Sequence, residues 1–514
     1  MYRETEKSYL NISSRVLFLA GLVFLVFSLL KGWHGDIIDL HGFRQTQTAL
    51  TVQYLLKGGP WLAYETPVLG PPWSIPFEFP LYQWLAALIA KTGIFSLDQS
   101  GRVVSVFMFL ATLYPFYRIL KALKLKEWQI FPVLTLYCVS PEYIFWSRTF
   151  MIESTALCLS MYFLMFIILY VERRGKNNRL LIIGMMTTGV LAATVKITTY
   201  YAFFVAAVSY FAWQSFLANG FFADRRKRDY SFLATFFIFA VLIPVLALFA
   251  WTSYSDYLKS LNPLARNLTS TALTSWNFGT LSDKISLRTW LMFFNRTIPD
   301  LIGNRWLLLP VIPAFFLCRR KRIMVIIFLL LLFLLPLVTF TNLHYRHNYY
   351  VYANGIFLIT AIGLICVDLL DANNLVKRLA GLVIFCAVIG FSTQHYLTQY
   401  FPRQGMTSDH SFFRNEMDRN ISGKDDIIVV FGADWNSEIP YYLQRRTVMF
   451  QSDDLHAKSF QEMVQNLKTY RIGAILFFKD ARFDTELIKE SLAAFHFPWN
   501  RMKNYGSMYA YFND

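Results

Sequence analysis

Apolar runs of about 17–22 residues recur near 14–31, 102–120, 128–146, 154–171, 180–197, 200–217, 231–251, 304–318, 323–341, 351–370 and 379–396. A helix needs about 20 such residues to cross a ~30 Å hydrocarbon core. The chain therefore reads as an α-helical polytopic membrane protein with about eleven crossings. Composition agrees: 55% of residues are hydrophobic and 16% charged, against roughly 25% charged in a soluble domain.

Lys and Arg in short loops favour the cytoplasmic side. Basic clusters at Arg3/Lys7/Arg15, Arg118/Lys121/Lys124/Lys126, Arg173/Arg174/Lys176/Arg179, Arg225/Arg226/Lys227/Arg228, Arg319/Arg320/Lys321/Arg322 and Lys377/Arg378 fall on alternate connections. Loops 32–100, 252–303 and 342–350 and the tail from 397 onward then lie outside. The expected location is the inner (plasma) membrane, multi-pass, with an extracytoplasmic C-terminal domain. The net charge of +16 resides before residue 397, with 35 basic against 18 acidic residues; the tail has 14 against 15. A basic surplus confined to membrane flanks argues against nucleic acid as a partner.

The first apolar run is longer than the 7–15 residues of a signal peptide core and ends in Lys31-Gly-Trp33-His34 without a small-x-small site, so an uncleaved anchor is expected. Cys138, Cys158, Cys318, Cys366 and Cys386 all fall in or beside spans and predict no ectodomain disulfide. Two domains are expected, at 1–396 and 397–514. In the tail, 425–432 and 472–478 read as buried strands, 459–470 and 484–494 as helices, and 505–512 as an aromatic segment. Together they predict a small α/β domain.

Chemistry concentrates in the outer segments. Asp36 and Asp39 precede His41, Arg44, Gln45 and Gln47; 49–56 has helical spacing suited to the interface. Pro76-Phe77-Glu78-Phe79-Pro80-Leu81-Tyr82-Gln83-Trp84 leads into a helix too short to cross. Either an acidic residue here acts as base while Arg44 and the glutamines grip phosphate or sugar, or the loop is an interfacial belt anchored by Trp33, Trp61, Trp73 and Trp84. Arg148 and Glu153 sit at the mouth of the membrane, where ionisable groups are costly and point to function. The alternative is a snorkelling Arg148 paired with Glu142 or Glu153. Lys196 near an outer span end either snorkels or binds a lipid phosphate. In Asn342-Leu-His344-Tyr345-Arg346-His347-Asn348-Tyr349-Tyr350, Arg346 suits a phosphate and the tyrosines suit a sugar. His344 and His347 lack a third ligand of matching spacing, so no metal site is expected.

Four motifs in order, His41-Gly-Phe-Arg44-Gln45-Thr-Gln47-Thr-Ala49, Phe79-Pro80-Leu81-Tyr82-Gln83-Trp84, Ser147-Arg148-Thr-Phe-Met-Ile-Glu153 and Arg346-His347-Asn-Tyr349-Tyr350, resemble the GT-C glycosyltransferases. More narrowly, residues 1–370 are similar to the branch holding protein O-mannosyltransferases and the bacterial aminoarabinose transferase of lipid A. The resemblance implies an inverting transferase that moves a sugar from a polyprenyl-phosphate donor to a lipid, glycan or protein acceptor on the outer face, among membrane lipids. The family's first loop usually carries Asp-Glu, its aspartate activating the acceptor hydroxyl. Here Arg44-Gln45 occupies that position, which leaves Asp39, then Asp36, His41 and Glu78, as the base. Arg44, Arg148, Lys196 and Arg346 would hold the donor phosphate, and Gln45, Gln47, Glu78, Tyr82, Glu153, His347 and Tyr349 the substrate. No cofactor is expected, since basic side chains can replace a divalent metal. The other classes are a flippase or transporter of a lipid-linked sugar, favoured by broken charged helices and repeated halves, and a non-catalytic membrane scaffold.

Overall fold

Inside hydrocarbon an amide without a partner costs several kcal/mol, so an apolar chain must close its hydrogen bonds within each helix. The computed structural model, which describes residues 2–173, 179–218, 230–408, 410–451, 454–479 and 484–513, follows that rule. Among these residues six helices are long and apolar enough to cross a membrane, and three shorter apolar ones accompany them, Arg179–Val195, Arg305–Phe316 and Gly355–Leu370. The chain is a multi-pass helical membrane protein with a small five-stranded sheet near its end. Arg174 and Lys176 of one basic cluster, and all of Arg225–Arg228, lie outside the described residues.

The chain forms two compact units that do not follow chain order: 1–34, 102–250 and 274–405 make one, and 35–101, 251–273 and 406–514 the other. The sequence placed a boundary at 396/397; the tail instead shares a unit with the first outer loop and the start of the second.

In the helical unit Tyr2–Leu30 packs on Glu127–Val139, Glu153–Glu172 on Arg179–Val195 and Ile197–Ala212, and Arg320–Thr339 on Gly355–Leu370. One run that reads as a continuous span is broken, and a second break falls between two expected spans. The run 128–146 divides into Glu127–Val139 and Pro141–Trp146. Pro141 pushes the preceding Ser140 out of the helical region (φ −67°, ψ 126°) and itself sits at the first helical position, which suits its fixed φ. The Ser140 hydroxyl donates to the Leu301 carbonyl at 2.8 Å. The second break falls at Lys196, whose extended backbone (φ −162°, ψ 95°) separates Arg179–Val195 from Ile197–Ala212. All five cysteines are free thiols.

In the other unit, strands β1 (Ile427–Phe431), β2 (Thr447–Phe450), β3 (Ile472–Phe478), β4 (Met502–Asn504) and β5 (Met508–Phe512) form a sheet of order β2-β1-β3-β5-β4. β1 runs parallel to β2 and β3, while β5 is antiparallel to β3 and β4. β1 is buried along its whole length, as a central parallel strand covered on both faces must be. Helices Lys458–Leu467 and Thr485–Ala494 occur where spacing predicted them. Helices His410–Asn420 and Glu438–Leu443 and strands β2 and β4 are additions.

Helix Gly42–Leu56 corrects one expectation. It does not offer a free amphipathic face, because Gln45 to Leu55 are all buried; it packs on Leu81–Lys91 and Glu438–Leu443. Trp73 is likewise no belt residue: it is buried, and its indole N–H donates to the Tyr470 hydroxyl at 3.3 Å. Asn262 ties the second loop to the first. Its amide donates to the carbonyls of Leu69, Gly70 and Pro72 at 3.1, 2.8 and 3.1 Å, and its oxygen accepts from the N–H groups of Leu264 and Ala265. A buried polar group stripped of its partner costs about 1–3 kcal/mol, and Asn262→Leu strips several at once. That variant is expected to unfold earlier, by about 3 kcal/mol or more, as read by thermal unfolding in detergent; an unchanged transition would contradict this role.

Candidate functional site

The chain turns sharply into helix Gly42–Leu56: His41 just before it takes a left-handed backbone (φ 49°). That turn returns Asp39 against the helix's first turn. Gln45 donates to Asp39 Oδ1 at 2.7 Å and to the Leu40 carbonyl at 2.9 Å, and the Leu40 N–H also reaches Oδ1 at 3.2 Å. Asp39 is 6% exposed. The N-terminal end of a 15-residue helix favours an anion there.

Beside this pair, Arg44 donates to Gln47 Oε1 at 2.6 Å and forms a close ion pair with Glu78. The segments 36–47 and 76–84 meet through that pair. Glu78 is further fixed by Tyr64, whose hydroxyl accepts from the Phe77 N–H at 2.7 Å and donates to the Glu78 carbonyl at 3.0 Å. Trp435 from the tail closes the group, with Phe43 at 4.8 Å edge-on and Phe77 stacked at 5.6 Å. Asp36 is engaged elsewhere: its carboxylate accepts from the Ser408 N–H at 2.8 Å, and its own N–H donates to the Met406 carbonyl at 3.0 Å. That is an anchor for the start of the tail. Tyr82 is fully buried with its hydroxyl on the Gly101 carbonyl at 2.9 Å, which makes it a packing residue.

The helical unit carries a second cluster. Glu153 stands at the first position of helix Glu153–Glu172, and Lys196 stands in the break before Ile197. The two form a buried, close ion pair, their side chains 2% and 7% exposed. The Lys196 ammonium also lies 4.4 Å from the Tyr350 ring centroid and 5.3 Å from that of Tyr349. The sequence offered Glu153 as a partner for Arg148; the structure gives it to Lys196. Arg148 is buried with its guanidinium 5.8 Å from the Phe145 ring. Arg346 is exposed, packed by the rings of Trp276 and Tyr345, both at 5.9 Å. His347 lies 5.3 Å from Tyr349 and 6.0 Å from Tyr350, and Tyr349 in turn packs on Trp146 at 5.6 Å. Loop 344–350 and Lys196 are thus drawn into one aromatic cluster, to which Arg148 contributes through its neighbour Trp146.

Burial keeps His344 neutral, with its pKa lowered to about 4, and its Nδ1 faces the Phe340 carbonyl at 3.0 Å. Arg296, which no spacing singled out, donates to the carbonyls of His344 and Tyr345 and fixes that loop from below the sequence pattern's notice. Among the described residues no three His, Cys, Asp or Glu side chains are grouped to hold a metal ion.

No protein family matches this sequence, and no curated protein does. Solved structures do match in fold. ArnT from Cupriavidus metallidurans, bound to undecaprenyl phosphate, superposes with a TM-score of 0.57 at 13% identity, over 96% of this chain and 97% of that one. The Archaeoglobus fulgidus oligosaccharyltransferase in complex with Zn and sulfate gives 0.53 at 11% identity, over 90% and 68%. The same archaeal enzyme, AglB, with an inhibitory peptide and a dolichol-phosphate gives 0.51 at 10% identity, over 90% and 69%. The chain has the GT-C fold.

Removing one partner of a buried ion pair typically costs about 3–5 kcal/mol, because the other charge is left uncompensated. Lys196→Met and Glu153→Gln are each expected to destabilise strongly, and the double variant by much less than their sum, in a double-mutant cycle on thermal unfolding. Strict additivity would show that the pair is not the determinant of this break.

Proposed function

We propose that the protein is a glycosyltransferase that takes a sugar from a polyprenyl-phosphate donor and passes it, by inverting displacement, to an acceptor on the outer face of the membrane. The observation that carries this reading is the Asp39–Gln45 pair beside Arg44–Glu78 at the head of helix Gly42–Leu56, on a chain whose GT-C fold covers nearly all of ArnT. ArnT was solved with undecaprenyl phosphate and AglB with dolichol-phosphate; a lipid phosphate is the donor remnant we assign to this chain as well.

In this reading Asp39 is the base. A general base must lie within hydrogen-bond reach of the hydroxyl it activates and typically contributes 10²–10⁴-fold. Gln45 orients the carboxylate, and Arg44, at the position where the family usually places an acidic residue, is paired with Glu78. Asp36 and Tyr82 drop out, being tied to Ser408 and Gly101. His41 contributes through its left-handed turn. The donor phosphate is assigned to cations, Arg346 foremost because it is exposed in a loop of tyrosines, and then Arg148. Lys196 is already neutralised by Glu153, so its part is to hold Tyr349 and Tyr350 in place. No metal enters the proposal.

A transport reading has one observation in its favour: helix breaks at Ser140–Pro141 and at the charged Lys196 are of the kind that line substrate paths in transporters. It predicts movement of an intact lipid-linked sugar. The transferase reading predicts that Asp39→Asn lowers kcat by about 10²–10⁴ with donor affinity unchanged, while Asp36→Asn leaves kcat within a few-fold. Arg346→Gln should weaken donor binding instead. These are read from polyprenyl phosphate released and from binding of the lipid; full activity in Asp39→Asn removes Asp39 as the base.

A further inference from the structure

The tail holds a cavity of about 490 Å³ that the transfer reading does not use, within the 300–1,000 Å³ usual for small-ligand sites. Its place in the sheet is informative. β1 leads to β2 on one side, and the chain then crosses to put β3 on β1's other side, so the order reverses at β1. In open α/β sheets ligands bind outside the carboxyl ends of the strands at such a reversal. The cavity lies there: Gly432 to Asp434 follow β1, Gln451 follows β2, Phe478 ends β3 and Met508 begins antiparallel β5.

The lining has a definite chemistry. Asp434, Asn436, Glu438 and Gln451 supply carboxylate and amide groups, and His410 and Tyr442 supply a stacked ring pair, centroids 3.5 Å apart and 10° from parallel. Among the described residues no Lys or Arg lines it. Asp434 adopts a left-handed backbone (φ 52°), which aspartate tolerates better than most residues. Burial raises the pKa of both Asp434 and Glu438. An anionic ligand would meet two carboxylates and, among the described lining residues, no cation. Neighbouring hydroxyls suit them, since each carboxylate or amide can accept from more than one; an amine suits them further.

We infer that this cavity is a binding site for a short neutral or amino-bearing saccharide, held by Asp434, Glu438, Asn436 and Gln451 against the His410–Tyr442 rings. The inference goes beyond the transfer reading and does not depend on Asp39 or on the donor.

The test uses the full-length protein in detergent micelles and three probes, a β-linked glucosamine disaccharide, cellobiose and a galacturonic acid disaccharide, with affinities measured by calorimetry and contacts by saturation-transfer NMR. The amino sugar and cellobiose should bind, the acidic sugar at least ten-fold more weakly. Glu438→Gln and Asp434→Asn should each weaken the amino sugar at least ten-fold, with unfolding transitions and donor-lipid hydrolysis like the parent's. If either variant does not fold, Met508→Trp, which fills the cavity from β5, takes its place and should abolish binding. Absence of binding by both non-acidic probes, equal binding of all three, or parent-like binding in folded variants would overturn the assignment. Saccharide binding without any donor hydrolysis would support this site while counting against the transferase reading.

Discussion

Hydrocarbon offers no hydrogen bonds, so a helix may break within the bundle only where side chains or neighbouring backbone take over. Two breaks in the helical unit depend on that substitution. At Ser140–Pro141 the hydroxyl of Ser140 bonds the Leu301 carbonyl, and the short helix that follows presents Trp146 to Tyr349. At Lys196 the ammonium is buried against Glu153 at a helix N-terminus and lies over Tyr349 and Tyr350. Both breaks therefore converge on loop 344–350, which places Arg346 and the tyrosines. The Glu153–Lys196 pair matters less for its net energy, since burying two charges costs much of what their attraction returns, than for specifying where the helix stops.

The other unit is assembled from distant chain segments by a different means. Asn262 grips three carbonyls of the first loop, Trp435 stacks on Phe77, and Arg446 pairs with Glu65 at 2.7 Å while lying over Trp73. These contacts make the tail part of the floor on which the Asp39 and Arg44 groups rest. Deleting the tail would remove helix Glu438–Leu443 from helix Gly42–Leu56, so the tail's role is better probed by point substitutions.

The spans were legible because apolar length is a direct consequence of bilayer thickness, and β1 and β3 because central parallel strands are continuously apolar. β2 and β4, four and three residues long, are too short for any periodicity to register. The breaks were half legible: Pro141 announces one, but Lys196 near a span end reads for snorkelling or a lipid phosphate and does not announce a helix stop. The residues 36–47 and 76–84 could be singled out by composition; that Arg44 meets Glu78, Asp36 meets Ser408 and Tyr82 meets Gly101 could not, because those partners are set by contacts across the unit. Asn262 and Trp435 carried faint signals, a turn-forming Asn-Pro and a tryptophan after the Gly432 turn, and neither indicates its partner.

The central claim is bond chemistry on a lipid-linked sugar rather than its passage across a membrane. Reconstituted protein would be given polyprenyl-phosphate monosaccharides one at a time, with free polyprenyl phosphate and intact donor separated and quantified. The account predicts that at least one donor yields polyprenyl phosphate at a rate that falls in Asp39→Asn. Movement of intact donor between leaflets, with no polyprenyl phosphate formed from any of them, would contradict it.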